Sequence, residues 1–273
     1  MDSISSVPEH QAVGQTAELY SDIKETLRVP VTNLVWRHLA TIDGALECVW
    51  KSIKPLYRHA DLDTGAASLR NINGLPTLPR WTRSGLKSLG ITGPDLITLH
   101  SILSNYAISN PGNLIALMAL RAKLEGKPAI PIPIYRHDND TSGAVTCKLP
   151  RLIAAHEMSP DTQRAAQEFD RIGIDDTSRE IVAGVPRHLA HWPAFLSRCT
   201  QTLLPFEADI SHGISAVQDQ AQQCGQSLIP ALDRIDVSPE PHQILTAIEL
   251  FTSRELIANY IVKVQMLQAA LPE

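Results

Sequence analysis

The feature that most constrains the fold of this chain is an internal repeat. The tetrapeptide Arg-His-Leu-Ala occupies residues 37–40 and again residues 187–190, an offset of 150 residues. Further pairs extend the match: Leu46 with Leu196, Pro55 with Pro205, the heptapeptide at 17–23 with that at 166–172, and Asn-Leu-Ile at 113–115 with Asn-Tyr-Ile at 259–261. Self-similarity spread over this distance predicts two copies of one structural unit.

The apolar residues recur at helical spacing in both copies. Ala17, Tyr20, Ile23 and Leu27 fall three or four residues apart, and so do residues 245, 248 and 251 near the end of the chain. This period predicts amphipathic α-helices. Alternation of period two is nearly absent, and prolines interrupt the one short stretch at 130–134. The sequence therefore predicts an all-α protein with about five helices in each half.

The sequence divides into three parts. Residues 1–126 form the first helical repeat, 127–149 an extended proline-rich linker, and 150–273 the second repeat. Helix cannot continue through Pro128 and the prolines that follow it, so the linker reads as an extended strap and a polar loop. Two similar halves commonly pack about a pseudo-twofold axis, and a pocket would form at their joint interface. We therefore expect a site that draws residues from both halves.

Composition narrows the classes of function. The net charge is −5, 44% of residues are hydrophobic and 19% are charged, as in ordinary globular proteins. No basic cluster suggests nucleic acid, no apolar run is long enough to span a membrane, and the first residues do not read as a signal peptide. The four cysteines show no metal or redox spacing. We expect a cytoplasmic protein without cofactor or metal, and the sequence leaves a homodimer open.

Four phrases of the sequence carry a resemblance to a known family. They are LRVPVTNLVWR at 27–37, SNPGNLIAL at 109–117, VPRHLAHWPAFL at 185–196 and Ala-Asn-Tyr-Ile at 258–261. With the repeats around them, the chain resembles the group I 2-haloacid dehalogenases, the DehI family, over nearly its full length. The repeat unit is also similar to the helical core of the alkylhydroperoxidase-D group, whose peroxidases use a CxxC pair that this chain lacks.

The resemblance implies a hydrolase that displaces halide from C2 of a short 2-haloacid by direct attack of an activated water. It implies that an amide in the second phrase orients the water, with Asn113 as first choice and Asn110 as second, and that Tyr260 lies in the pocket. Val31 and Leu34 correspond to aromatic pocket residues of the family, and Trp36 is a further candidate for the pocket wall. The substrate-binding candidates are thus Val31, Leu34, Trp36 and Tyr260.

The catalytic aspartate of the family has no counterpart here. It would fall within Val185-Pro186-Arg187-His188, where Arg187 is the nearest match. A guanidinium is protonated at neutral pH, so Arg187 could bind a substrate carboxylate but could not deprotonate water. The catalytic candidates are Asn113, Arg187 and His188, with Asp176 and Glu180 as other possible bases. The alternative is a divergent enzyme or a small-ligand-binding protein that lost the water-activating carboxylate.

Structural roles compete with these functional ones. Arg37 and Arg187 recur at equivalent positions, and each could anchor a helix end rather than bind an acid. His38 and His188 could be packed, hydrogen-bonded residues. His188 and His191 share a predicted helical face, but without a carboxylate or cysteine at matching spacing they do not predict a metal site.

Overall fold

The computed structural model describes residues 4–131, 148–174, 182–232 and 240–273. All regular elements in these ranges are helical. The predicted all-α class is thus confirmed. The helices of the first part are α1 Gly14–Leu27, α2 Leu34–Leu39, α3 Ala45–Ile53, α4 Ala60–Arg70, α5 Arg83–Ser88 and α6 Gly93–Leu124. Those of the second part are α7 Pro160–Arg171, α8 Gly184–Leu189, α9 Pro193–Leu203, α10 Glu207–Ser227, α11 Pro241–Phe251 and α12 Asn259–Ala270, the last preceded by a π-helical turn at Arg254–Ala258.

The central element is α6, a helix of 32 residues. A capping box fixes its start, since the Thr92 hydroxyl accepts from the Asp95 amide and the Asp95 carboxylate accepts from the Thr92 amide. From Ser109 to Leu120 every residue is buried, so this half of the helix has no solvent face. Helices α4, α10 and α12 pack against it. Residues on α6 are thereby held rigidly at the centre of the fold.

The order of elements in residues 14–124 resembles the order in residues 160–270. A 12- to 14-residue helix comes first, a six-residue helix carrying Arg-His-Leu second, and a third helix running into a 3₁₀ turn follows in both. The predicted duplication and the domain bounds stay predictions, which this order supports. Most of the predicted linker, residues 132–147, lies outside the described residues.

The side chains of α2 lie on two different faces of the helix. On α2, Leu34 and Arg37 are three residues apart and share one face, whereas Trp36 lies on another face and packs edge-on against Trp50, with ring centroids 5.2 Å apart.

None of the described helices is long and apolar enough to cross a membrane.

Candidate active site

A small cavity lies between the two parts of the chain. Its volume is about 40 Å³. Since one water needs about 10–15 Å³ on this measure, the cavity suits a few waters or a very small organic molecule. Its wall is mostly apolar with a few polar side chains, as is typical of a small-molecule site. The lining residues are Thr32, Asn33, Leu34, Val35, Arg37, Tyr106, Asn110, Ala183, Gly184, Val185, Phe251, Leu256, Ile257 and Tyr260.

Arg37 brings a positive charge to this cavity. Its side chain is 4% exposed, and its guanidinium makes no hydrogen bond or salt bridge with any described residue. The carboxylate of Glu9 is committed elsewhere, to Lys24 Nζ at 2.7 Å and to the Thr32 amide at 2.7 Å. Burial lowers the pKa of Arg37 and the nearby charge of Arg187 lowers it further, while Tyr106, Glu9 and Tyr20 act to raise it. A guanidinium nevertheless stays protonated in proteins, so the cavity holds a buried cation that forms no salt bridge with a described residue.

Amide and hydroxyl groups line the cavity beside Arg37. The Ser109 hydroxyl donates to the Asn105 carbonyl at 2.8 Å, so its oxygen is left to accept from Asn33 Nδ2, also at 2.8 Å. Asn33 Nδ2 also donates to Asn110 Oδ1 at 3.1 Å. These bonds fix the amide of Asn33 and leave its Oδ1, like the hydroxyl of Thr32, buried without a partner among the described residues. Buried polar groups normally have partners, so a bound water or ligand would satisfy this pair.

Two tyrosines line the cavity, and each has a buried partner for its hydroxyl; the first hydroxyl is that of Tyr106. It lies 2.9 Å from His188 Nδ1, and His188 Nε2 lies 3.0 Å from the Pro150 carbonyl oxygen. Because a carbonyl only accepts, Nε2 carries the hydrogen and Nδ1 accepts from Tyr106. Burial lowers the pKa of His188 to about 3, so the ring is neutral. A Cβ on Gly184 would collide with the Tyr106 hydroxyl, so a larger residue there would have to displace this tyrosine.

The second hydroxyl belongs to Tyr260, which donates to Asp170 Oδ1 at 2.5 Å. Asp170 Oδ2 accepts from the amide of Ala183 at 3.3 Å. Burial raises the pKa of Asp170 to about 7, while the charge of Lys263 and the Tyr260 hydrogen bond act to lower it. Asp170 therefore stands one side chain behind the cavity wall.

Leu34 and Tyr260 are the two predicted site residues that line the cavity. Asn110, the second choice for the orienting amide, lines it as well, whereas Asn113, the first choice, does not. Asn113 is fully buried, and its Oδ1 accepts from the Tyr57 hydroxyl at 2.7 Å. Val31 packs at the edge of the core. Of the two candidate amides, the structure thus brings Asn110 and not Asn113 to the cavity wall.

Arg187, His188 and Trp36 also lie away from the cavity wall. Arg187 Nε donates to the Ile153 carbonyl at 2.8 Å, as an anchoring arginine does. His188 stands behind Tyr106 and reaches the cavity only through it. Trp36 is fully buried in the core beside Trp50. The other proposed bases, Asp176 and Glu180, lie outside the described residues.

The other two histidines noted in the sequence contact backbone carbonyl oxygens and do not come together around a common site. His38 Nδ1 lies 2.8 Å from the Ser5 oxygen, and His191 Nε2 lies 2.8 Å from the Arg151 oxygen. Across the described ranges, no group of three histidine, cysteine, aspartate or glutamate side chains is arranged to hold a metal ion.

Two curated proteins resemble the chain in sequence, and no family model matches it. The (R)-2-haloacid dehalogenase of Pseudomonas putida is 30% identical over 105 residues, covering 37% of this chain and 35% of that protein. The configuration-inverting 2-haloacid dehalogenase of Pseudomonas sp. strain 113 is 25% identical over 202 residues, covering 72% and 65%. The chain is a relative of the 2-haloacid dehalogenases. The matches span about a third of the first relative's length and just under two thirds of the second's.

Solved structures share the fold of this dehalogenase relative. A D-2-haloacid dehalogenase mutant in complex with D-2-CPA matches with a TM-score of 0.76 at 15% identity, covering 98% of this chain and 95% of the other. The D-2-haloacid dehalogenase complex with L-LA matches with a TM-score of 0.76 at 16% identity, covering 97% and 96%. The fold expected from the resemblance is thereby confirmed, and the sequence matches confirm the resemblance itself.

No carboxylate among the described residues lines the cavity of this chain. Sequence reasoning weighed Arg37 as a pocket cation against a helix anchor and did not choose it as a site residue, and it missed Tyr106 and Asp170. One signal could have drawn attention to Asp170. It lies in the last turn of α7, where a carboxylate opposes the helix dipole and is normally unfavourable.

Proposed function

We propose that this chain is a hydrolase of short 2-haloacids, in which water attacks C2 directly and displaces the halide. The observation that carries the proposal is the buried guanidinium of Arg37, which lines a largely apolar cavity and forms no salt bridge with a described residue. A substrate carboxylate would supply the missing negative charge in two parallel hydrogen bonds. The names of the two sequence relatives support the choice of a 2-haloacid as that carboxylate.

The chemistry of the cavity wall indicates where the other parts of the substrate would lie. With the carboxylate on Arg37, C2 and its halogen would lie against the apolar part of the wall, formed by residues such as Val185, Phe251 and Ile257. The attacking water would lie among the polar groups, where Asn33 Oδ1 has an unused acceptor. Exclusion of other water strengthens each of these electrostatic contacts. The products are a 2-hydroxyacid, a halide ion and a proton.

Halide release tests this function. Purified protein is incubated with each enantiomer of 2-chloropropionate and 2-bromopropionate, with heat-denatured protein as the control. Direct displacement at C2 predicts lactate of inverted configuration. In a single turnover in H₂¹⁸O with enzyme in excess, the label enters lactate at once if water attacks C2. A covalent ester on an enzyme carboxylate would instead deliver an unlabelled oxygen to the first lactate.

A second candidate function is binding of a small acid without chemistry. It is favoured by the absence of a carboxylate from the cavity wall within the described residues. Acid binding without halide release would establish it in place of the hydrolase. A cytoplasmic location and a homodimeric state remain predictions from the sequence.

A further inference from the structure

A buried cluster between α7 and α12 stands directly behind the cavity. Asp170 on α7 accepts the hydroxyl hydrogen of Tyr260 on α12 at 2.5 Å, and the ring of Tyr260 forms part of the cavity wall. The second carboxylate oxygen accepts from the amide of Ala183, which is also a wall residue. The carboxylate is thus connected to the cavity through one hydroxyl group.

The backbone around Asp170 is held without help from its carboxylate. Lys263 Nζ donates to the Phe169 carbonyl and, at 3.2 Å, to the Asp170 carbonyl. Asn259 Nδ2 donates to the same Asp170 carbonyl at 3.1 Å. These groups satisfy the end of α7, where carbonyls otherwise lack partners. A buried carboxylate in the last turn of a helix is destabilising, and the contacts from α12 to α7 do not require it. We therefore look for another role for the Asp170 side chain.

Lys263 gives the carboxylate a counter-charge. The lysine side chain is fully buried, with Nζ 5.1 Å above the centre of the Phe169 ring. Burial lowers the pKa of Lys263, while the charges of Asp170 and Glu207 act to raise it. Burial raises the pKa of Asp170. The ionisable groups that act on Asp170, Tyr260 or Lys263 are therefore these three themselves, Glu207 and Tyr106.

The two tyrosines of the cavity differ in what stands behind them. Behind Tyr106 is His188, and a proton on that ring would place a third cation beside Arg37 and Arg187, whose charges lower its pKa. Behind Tyr260 is a carboxylate, which becomes neutral when it accepts a proton. Proton transfer towards Tyr260 therefore removes a buried charge, whereas transfer towards Tyr106 creates one.

We propose that Asp170 takes up the proton of the attacking water through the hydroxyl of Tyr260, an inference that rests on the hydrolase function proposed above. As the water oxygen forms its bond to C2, one water proton moves to the Tyr260 oxygen and the tyrosine hydrogen moves to Asp170 Oδ1. The C2–halogen bond breaks and its electron pair leaves with the halide. The proton on Asp170 later returns to solvent. Tyr260 is the catalytic residue of this pair and Asp170 acts through it.

Kinetics of Tyr260→Phe and Asp170→Asn test the relay. Each variant keeps the shape of its side chain, and the asparagine oxygen still accepts from Tyr260. Because a general base contributes about 10²–10⁴-fold, we expect kcat for 2-bromopropionate to fall by that factor with KM unchanged. The wild-type kcat should rise with pH as Asp170 ionises, and Asp170→Asn should lack this rise, which a purely structural role would not change.

Two further tyrosine variants complete the test, one as a control and one for the alternative route through Tyr106. Tyr57→Phe removes another buried hydroxyl that donates to an amide oxygen away from the cavity, and its kcat should stay near the wild-type value. Circular dichroism and urea unfolding establish that each variant is folded. If the wild type releases halide and both test variants stay within a few-fold of it, the relay is wrong and the hydrolase stands. A Tyr106→Phe variant that alone loses kcat would also overturn the relay. A wild type that releases no halide overturns the hydrolase and the relay together.

Discussion

The hydroxyl of Tyr106 lies 2.9 Å from Nδ1 of His188, and Nε2 of the same ring contacts the Pro150 carbonyl at 3.0 Å. The imidazole therefore links the wall of the cavity to the end of the segment that connects the two halves. Both ring nitrogens are in use and the ring is fully buried, so His188 is a neutral spacer that orients Tyr106. This relationship makes the stability of the fold sensitive to acid.

The first prediction concerns this sensitivity. The folded-state pKa of His188 is about 3, below the value of about 6.5 in an unfolded chain. The unfolded state then binds more protons between these values, so the stability from a neutral His188 is present above pH 6.5 and is lost as the pH falls. Between pH 6.5 and 5 the loss is about 2 kcal/mol. Because the raised pKa of Asp170 adds stability over the same pH range, urea unfolding should show this loss as the difference between the wild type and a variant that lacks the imidazole.

His188→Gln is the matched variant for that measurement. Glutamine can donate to the Pro150 carbonyl and does not titrate. Asp170, whose raised pKa acts in the opposite sense over part of this range, is common to both proteins. The difference between the proteins therefore isolates His188. An equal acid loss in wild type and variant would show that His188 is not held neutral.

The second prediction concerns Gly184. A Cβ at this position would meet the Tyr106 hydroxyl in less than van der Waals distance. We expect Gly184→Ala to displace Tyr106, to cost about 1–3 kcal/mol of unfolding free energy and to weaken acid binding. Gly112→Ala, inside α6, is the control: its Cβ would lie 3.4 Å from Tyr57 Cε1, an ordinary van der Waals contact, and acid binding should be unchanged. If Gly184→Ala keeps wild-type acid binding and stability, Tyr106 can move aside without cost and the prediction is wrong.

A third prediction concerns the cost of burying Arg37. Since no described residue neutralises its guanidinium, Arg37→Met should raise the free energy of unfolding by about 1–3 kcal/mol in the absence of acid. Arg187→Met loses the hydrogen bond to the Ile153 carbonyl and should not gain stability. Thermal unfolding without ligand compares the three proteins. A destabilised Arg37→Met variant would contradict the assignment of an unpaired cation.

The sequence predicted the class of this fold because helical period is a local property. The apolar positions of α1 and α11, such as Tyr20, Ile23 and Ile248, are buried as their spacing requires. Leu34 and Tyr260 were placed in the pocket by resemblance, and both line the cavity. The duplication itself stays a prediction.

The choice between Arg37 and Arg187 could not be made from the sequence. Both lie in the same tetrapeptide, and their roles differ because the Ile153 carbonyl is available to Arg187 but no such partner reaches Arg37. The same holds for Asn110 and Asn113, which lie one turn apart on α6 and differ in their partners, since Asn110 Oδ1 accepts from Asn33 and Asn113 Oδ1 accepts from Tyr57. These distinctions depend on tertiary contacts that no local pattern encodes.

The most direct test of the central claim, that the Arg37 cavity binds a short carboxylic acid, is calorimetric titration with propionate. Propionate has no leaving group, so binding is measured apart from any chemistry. We predict that the wild type and Arg187→Met bind it, and that Arg37→Met loses at least about 30-fold in affinity because a buried charge pair is removed. Equal binding by the wild type and Arg37→Met, or loss of binding in Arg187→Met alone, would contradict the account.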